Sequence, residues 1–331
     1  MKKFKALRVH DEQGRNVARI EELSETDLSP GNVLIQVSYS DINYKDALAV
    51  TGKGKILRGL PRIPGIDLAG KVLRSEDPRY KEGDSVLVTG YGVGEGHDGG
   101  FSEVVRVQAD WVIPLPQGLS EREAMQIGTA GFTAALALER LERAGTHPAA
   151  GPVLINGATG GVGSLAIDIF SKAGYSVTAY TGKADQVDYL KSLGADEVLL
   201  ADQVELGKRP LESGRWGAAV DSLGGDVLAW MLATTKPWCN VASIGLAAGT
   251  ALSTTVMPFI IRGVSLIGID SPLCPYDIRS RVWQRLAQEL KPRHLDRIAG
   301  REVGLDGIVD ACNALMARQV TGRYLVKIGA A

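Results

Sequence analysis

Residues 153–163 read VLINGATGGVG, an apolar run that passes directly into glycines at 157, 160, 161 and 163 and then into a helical stretch, SLAIDIFSKAG (164–174). A buried strand, a glycine turn and a helix in that order form a place where a pyrophosphate can approach backbone N–H groups at a helix N-terminus. Any Cβ on the turn would block that approach. The spacing Gly157-x-x-Gly160-x-x-Gly163 departs from the usual G-x-G-x-x-G, so the strand before and the helix after carry the assignment. Gly157, Gly160, Gly161, Val162 and Gly163 are the candidate phosphate cradle.

The rest of that half of the chain extends the pattern. Six short apolar runs follow one another: VLIN (153–156), SVTAY (176–180), EVLLA (197–201), AAVDS (218–222), VASIG (241–245) and SLIGID (265–270). Helical segments such as VLAWMLATT (227–235) separate several of them. Strands alternating with helices predict a parallel, doubly wound α/β sheet of six strands. The first ~120 residues read differently. Short alternating runs at 4–9, 33–40, 85–90, 101–107 and 111–116, punctuated by Pro30-Gly31, Pro64-Gly65 and Glu82-Gly83-Asp84, predict a partly open β-barrel. The period changes at Ser120, which with Glu123 forms a capping box, and the helix that follows breaks near Gly128 and restarts at Thr129. A terminal run, RYLVKI (323–328), needs a strand partner, which the N-terminal β domain supplies most simply.

Composition excludes several classes. Lys and Arg number 37 against 38 Asp and Glu, a net charge of −1, so no basic surplus asks for nucleic acid. Three distant cysteines, Cys239, Cys274 and Cys312, fit a reducing cytoplasm rather than a disulfide framework. No signal peptide or membrane-length apolar run is evident. The four histidines, at 10, 97, 147 and 294, have no zinc spacing with cysteine or each other.

The second strand bears on the cofactor. An NAD site usually places Asp or Glu about 20 residues after the glycines, on the ribose 2′-hydroxyl. Here Thr181, Gly182 and Lys183 stand instead, and a hydroxyl with an ammonium suits a 2′-phosphate, so NADPH is favoured. Gly94-Glu95-Gly96-His97-Asp98-Gly99 fits G-x-G-x-x-G letter for letter, yet it carries two acids and precedes a strand. It reads as a flexible loop of the β domain.

Together NYKDALAVTGKGKI (43–56), IPGIDLAG (63–70), GYGVGEGHDGGFSE (90–103), IGTAGFTA (127–134), GATGGVGS (157–164) and TTVMPFIIRGVSLIGIDS (254–271) resemble the zinc-free quinone oxidoreductase branch of the medium-chain dehydrogenase/reductase superfamily. The likeness is to its YhdH/YhfP type, which includes NADPH-dependent acryloyl-CoA reductases. It implies a GroES-like partly open β-barrel domain (1–122 and 291–331) around a six-stranded Rossmann domain (123–290). It also implies metal-free chemistry, since the zinc enzymes carry Gly-His-Glu where this chain reads Gly65-Ile66-Asp67. The resemblance places Asn43, Tyr44 and Asp46 beside the nicotinamide. A phenol can donate a proton there and a carboxylate can orient it, although Asp46 is equally suited to cap the helix that starts at this point. It brings Ser164 to the phosphates, Leu246 and Ser271 to the nicotinamide end, and Arg323 to a cofactor or substrate phosphate. A homodimer joined along SLIGID (265–270) is implied as well.

Between Asp46 and Asp67 the chain carries Lys53, Lys55, Arg58 and Arg62 and no acid, which suits the phosphates of coenzyme A as well as it suits a solvated surface. The expected activity is NADPH-dependent reduction of the C=C bond of an α,β-unsaturated acyl-CoA, foremost acryloyl-CoA to propanoyl-CoA. The alternatives are an NADPH-dependent quinone or enone reductase and a non-catalytic NADPH sensor.

Overall fold

The computed structural model describes residues 3–207 and 209–329. The chain divides into two compact units. One comprises Met1–Thr129, Pro272–Ala287 and Leu295–Ala331, and the other comprises Ala130–Ser271 and Gln288–His294.

In the second unit all six expected strands form one parallel sheet, in the order 197–200, 177–181, 153–155, 216–221, 235–243, 265–268. The strand Val153–Ile155 is followed in sequence by its neighbour on one side, while the chain resumes on the other side with Trp216–Asp221. The order therefore reverses between these two strands, the position at which doubly wound sheets hold ligands. Leu154, Trp216, Ala219, Met231 and Val241 are buried together. The near-continuous apolar runs follow from helices packing on both faces of such a sheet.

The first unit holds an antiparallel hairpin, Phe4–Glu12 with Arg15–Leu23, and a seven-stranded sheet. The path of that sheet runs 301–303, 324–327, 33–42, 67–75, 85–89, 112–114, and Val104–Val107 also pairs with Val33–Ile42. Three of these strands escape the sequence reading, the short Arg301–Val303 among them. Arg15–Leu23 is mostly polar or charged and largely solvated, and Asp67–Ser75 has its apolar pattern interrupted by Gly70-Lys71. The tail behaves as expected: Tyr324–Lys327 runs antiparallel to Val33–Ile42, with Tyr324 opposite Ile42.

The helix Tyr276–Ala287, read from sequence as part of the nucleotide domain, lies in the first unit. Its Arg279 is wholly buried and donates to the carbonyl and hydroxyl oxygens of Thr89 at 2.7 and 2.8 Å, with the guanidinium 4.4 Å from the centre of the Tyr91 ring. Helical periodicity does not say which core a helix serves. The capping box is present, with the Ser120 amide donating to Glu123 at 2.9 Å and the Glu123 amide donating to Ser120 Oγ at 3.2 Å. The helix it opens, Glu121–Arg143, breaks at Gly128, whose φ is +49°.

The glycine-rich stretch 90–100 is pinned by its own side chains, contrary to the flexible loop expected. Asp98 accepts the Ser29 amide and hydroxyl, both at 2.8 Å, and the Ile63 amide at 3.1 Å. The His97 ring nitrogens lie 3.0 and 2.9 Å from the carbonyl oxygens of Asp98 and Pro30. A Cβ on Gly94 or Gly99 would run into the Gly65 backbone, so these glycines serve a close crossing of two loops. Among the described residues no helix is long and apolar enough to cross a membrane.

Candidate functional site

Gly157 leaves the strand Val153–Ile155 with φ +58°, a conformation glycine adopts without strain. Gly160 caps the helix Gly161–Lys172, and a Cβ on Gly163 would collide with the Gly157 carbonyl oxygen and the Ala158 backbone. Gly163 thus lets the helix start close against the turn. The amides of Gly161, Val162 and Gly163, in the first turn, have no carbonyl four residues back within the helix. These are the donors and the small-residue surface that a pyrophosphate requires, so the second unit fits a dinucleotide on its own geometry.

Ser164, expected at the phosphates, is wholly buried and differently engaged. Its hydroxyl donates to the Ala158 carbonyl at 3.2 Å and receives the Tyr189 phenol at 3.0 Å, while its amide donates to the Gly160 carbonyl at 2.9 Å. It braces the turn from behind. Tyr189 was not singled out from sequence, because nothing in its helix distinguishes a bracing phenol from a surface one. Asn156 and Asp221 make a second brace at the reversal of strand order. Asn156 Nδ2 donates to Asp221 at 2.6 Å, and Asn156 Oδ1 accepts the Ser222 amide at 2.6 Å. Burial pushes the Asp221 carboxyl above its ordinary range.

Thr181 ends the strand Val177–Thr181, and its hydroxyl accepts the Lys183 amide at 3.1 Å. Gly182 is exposed, with nothing near the position of a Cβ. Leu246 and Ser271 follow the carboxyl ends of the strands 235–243 and 265–268, the former exposed and the latter buried.

In the first unit, Asn43 caps the short helix Tyr44–Thr51 and joins a largely buried polar cluster. Asp46 accepts the Asn43 amide on one oxygen and the Ile66 amide on the other, both at 2.9 Å. It has no exposed surface, and burial raises its carboxyl to about 7 against the pull of those amides. That makes Asp46 the helix cap, a positioning residue. Asn43 Nδ2 donates to Asp41 at 2.7 Å and to Asp67 at 2.8 Å, and Asn43 Oδ1 accepts from Arg323 at 3.1 Å. The Asn43 amide is thereby engaged at both ends.

Arg323, expected to meet a phosphate, is 3% exposed and engaged within the unit. It pairs with Asp41 at 2.7 Å and donates to the carbonyls of Gln126 and Ile127, which the break at Gly128 deprives of helical partners. On the other side of the break, the amide and hydroxyl of Thr129 donate to Asp67 at 2.7 and 2.5 Å. Asp41, Asp67 and Thr129 were missed by the sequence reading. Their only signal was an acid closing or opening an otherwise apolar strand, as in VLIQVSYSDI and IDLAG. Tyr44 differs from all of these, being 52% exposed and without a partner among the described residues.

The four cations separate. Lys53, Lys55 and Arg58 are exposed, and their side chains form no ion pair among the described residues. Arg62 is part of the fold, since its guanidinium donates to Ser29 Oγ at 2.7 Å and to the Gly59 carbonyl at 3.1 Å and lies 3.4 Å from Asp98. It leaves the phosphate-binding set. Among the described residues no group of three or more His, Cys, Asp or Glu is placed to hold a metal ion.

Comparison with known proteins gives two matching family models, an alcohol dehydrogenase GroES-like domain over residues 29–117 and a zinc-binding dehydrogenase over residues 161–288. The chain is 47% identical to a probable acrylyl-CoA reductase, AcuI, of Escherichia coli (98% of this chain, 100% of that one). It is 46% identical to the acrylyl-CoA reductase AcuI of Ruegeria pomeroyi (99% and 100%) and 46% identical to the putative quinone oxidoreductase YhfP of Bacillus subtilis (98% and 99%). Among solved structures, it resembles the yhdH oxidoreductase of Salmonella enterica in complex with NADP, with a TM-score of 0.95 at 48% identity (98% and 100% covered). It also resembles Bacillus subtilis yhfP with NAD bound, with a TM-score of 0.97 at 46% identity (99% and 100%). On these full-length matches and the parallel sheet with its glycine turn, the chain belongs to the medium-chain dehydrogenase/reductase family, in the group of the YhdH/YhfP and acrylyl-CoA reductase proteins.

Proposed function

We propose that this protein is an NADPH-dependent reductase that saturates the C=C bond of an α,β-unsaturated acyl-CoA, converting acryloyl-CoA to propanoyl-CoA. The observation that carries the reading is the end-to-end identity of 46–47% with two acrylyl-CoA reductases. The balance is acryloyl-CoA + NADPH + H⁺ giving propanoyl-CoA + NADP⁺. When bound, the cofactor supplies the hydride that the β-carbon of the thioester accepts.

The chain's own residues do the rest. Gly157, Gly160 and Gly163 leave the turn bare, and the amides of 161–163 take the pyrophosphate. Lys183 supplies charge for a 2′-phosphate. The Tyr44 phenol, exposed and unengaged, delivers the proton that the α-carbon needs or steadies the thioester oxygen as charge develops on it. Lys53, Lys55 and Arg58 form the surface that receives the phosphates of coenzyme A.

The proposed partner is a second copy of the chain. The strand Ser265–Gly268 ends its sheet, and beside it the helix Met257–Arg262 exposes Ile260 and Ile261, with Val256 just before it and Leu266 on the strand. An open strand edge next to apolar side chains calls for a cover. No disulfide joins the cysteines among the described residues, which supports a cytoplasmic setting.

The likeness to YhfP, named a putative quinone oxidoreductase, favours a second reading in which the same residues reduce a quinone. NADPH oxidation measured with acryloyl-CoA, with a soluble quinone and with no acceptor separates the possibilities. Turnover is expected to be fastest with the thioester. A faster quinone rate overturns the first reading in favour of the second, and tight NADPH binding without turnover on any acceptor leaves a sensor.

A further inference from the structure

Asp41, Asp46 and Asp67 have no solvent exposure, and they surround the start of the helix Tyr44–Thr51. Arg323 is the cation that faces them, and the buried Cys312 thiol stands near Asp46. Such a group of acids is expensive to bury, and capping the helix does not require it, because Asp46 already takes both backbone amides.

The donors are shared unequally. Asp67 receives the Thr129 amide, the Thr129 hydroxyl and one N–H of Asn43. Asp41 receives Arg323 and Asn43 on Oδ1 alone, and no donor reaches its buried Oδ2. That oxygen lies against Gly128, where a Cβ would collide with it, so the pocket has no room for another group on that side. The Asp41 and Asp67 carboxyl groups converge on one donor atom, the Asn43 Nδ2, at 2.7 and 2.8 Å, so they lie beside each other. Two neighbouring carboxyl groups in a dry pocket repel when both are charged, and a proton held between them removes that repulsion.

We infer that Asp41 and Asp67 share one proton in the folded protein, and that this proton-bearing pair is the clamp that holds the Asn43 amide and so positions Tyr44 at the helix start. Both carboxyls receive the Asn43 Nδ2, one N–H each, and a shared proton removes the repulsion that would push them apart. Arg323 then faces one net charge from the pair. Burial, with Asp67 and Asp46 close by, holds the Asp41 carboxyl well above the usual range despite Arg323, which agrees with the geometry. Asp41 and Asp67 are positioning residues on this account, since neither has a surface to offer a ligand.

The test needs no substrate, so it stands apart from the reductase reading. Infrared spectra of protein carrying ¹³C-labelled aspartate, recorded at pH 8, should show the carbonyl stretch of one protonated carboxyl group. Asp41→Asn and Asp67→Asn should each remove it. Absence of the band from the wild type overturns the inference, even if neither variant folds, and so does its survival in either folded variant. The positioning role is read from ¹⁹F resonances with fluorotyrosine at residue 44. Asp41→Asn, which keeps the shape of a neutral acid, should leave the signal in place, and Asp41→Ala should shift or broaden it. An unmoved signal in Asp41→Ala overturns the clamp.

Discussion

At the scale of single residues, the proposed preference for NADPH rests on charge at the end of one strand. Lys183 follows the strand Val177–Thr181 at the position where an acid would hold a free ribose hydroxyl and repel a phosphate. Removing the ammonium with Lys183→Ala should weaken NADPH binding about tenfold or more, the scale of one charge-assisted contact, and leave NADH nearly unchanged. Fluorescence titration with both cofactors checks this, and equal losses would remove Lys183 from the phosphate. Tyr44→Phe deletes one hydroxyl that makes no hydrogen bond among the described residues from a half-exposed side chain. Turnover should fall by about a hundredfold, the lower end for a positioned proton donor, with NADPH affinity intact. A variant as fast as the wild type makes Tyr44 a wall of the pocket.

These two residues could be proposed from sequence because each lies within a few positions of a recognisable turn or motif. Arg323 was not. Its partners are 280 and 197 positions away, and no local pattern distinguishes an arginine that closes a broken helix from one that meets a ligand.

At the scale of elements, the break in the helix Glu121–Arg143 joins the parts of the first unit's polar cluster. The break frees two carbonyls for Arg323 and one amide for Asp67, and it requires a glycine both for its φ and for the space Asp41 occupies. Gly128→Ala should therefore lower stability by about 1–3 kcal/mol from the backbone alone, and by more if Asp41 is displaced, as read by thermal or urea unfolding. A loss below about half a kcal/mol would mean that the cluster yields easily.

The helix Tyr44–Thr51 carries a pH dependence of its own. The folded Asp46 carboxyl is raised to about 7, above its unfolded value near 4. Its contribution is thus complete below about pH 4 and is lost as pH rises through 7. Wild-type stability should decline from pH 5 to pH 8, and Asp46→Asn should flatten that slope although it weakens the cap. Urea midpoints at the two pH values decide it, and an equally steep decline in the variant would place the titration elsewhere.

The six parallel strands and the capping box could be read from sequence because their signals are local: a run of apolar residues between turns, and an acid three residues after a serine. The strand Asp67–Ser75 could not, since half of its face lies beside strands from elsewhere in the sequence and its glycine permits a crossing visible only once both strands are present.

At the scale of the molecule, the proposed dimer rests on the edge Ser265–Gly268, which ends its sheet. Ile260 is 74% exposed on the adjoining helix, and Ile260→Glu should convert a dimer to a monomer without altering the far-UV circular dichroism. Sedimentation equilibrium measures this directly, and a variant that still dimerises would move the interface elsewhere.

The first unit is discontinuous, and this has a consequence for its synthesis. The strand Val33–Ile42 is made long before its neighbour Tyr324–Lys327, and Arg323 arrives with that neighbour. With 280 positions between Asn43 and Arg323, translation leaves a gap of roughly fifteen seconds to a minute at ordinary rates. During that interval the nascent chain carries an unpaired strand edge and a group of acids with no counterion, and before it ends the nucleotide-binding unit, whose last segment is Gln288–His294, is fully translated. Full-length chains should therefore pass through a state in which only the second unit is folded. A chain cut short ahead of Arg323 would keep that state as its end point, exposed to proteases and to pairing with other nascent chains.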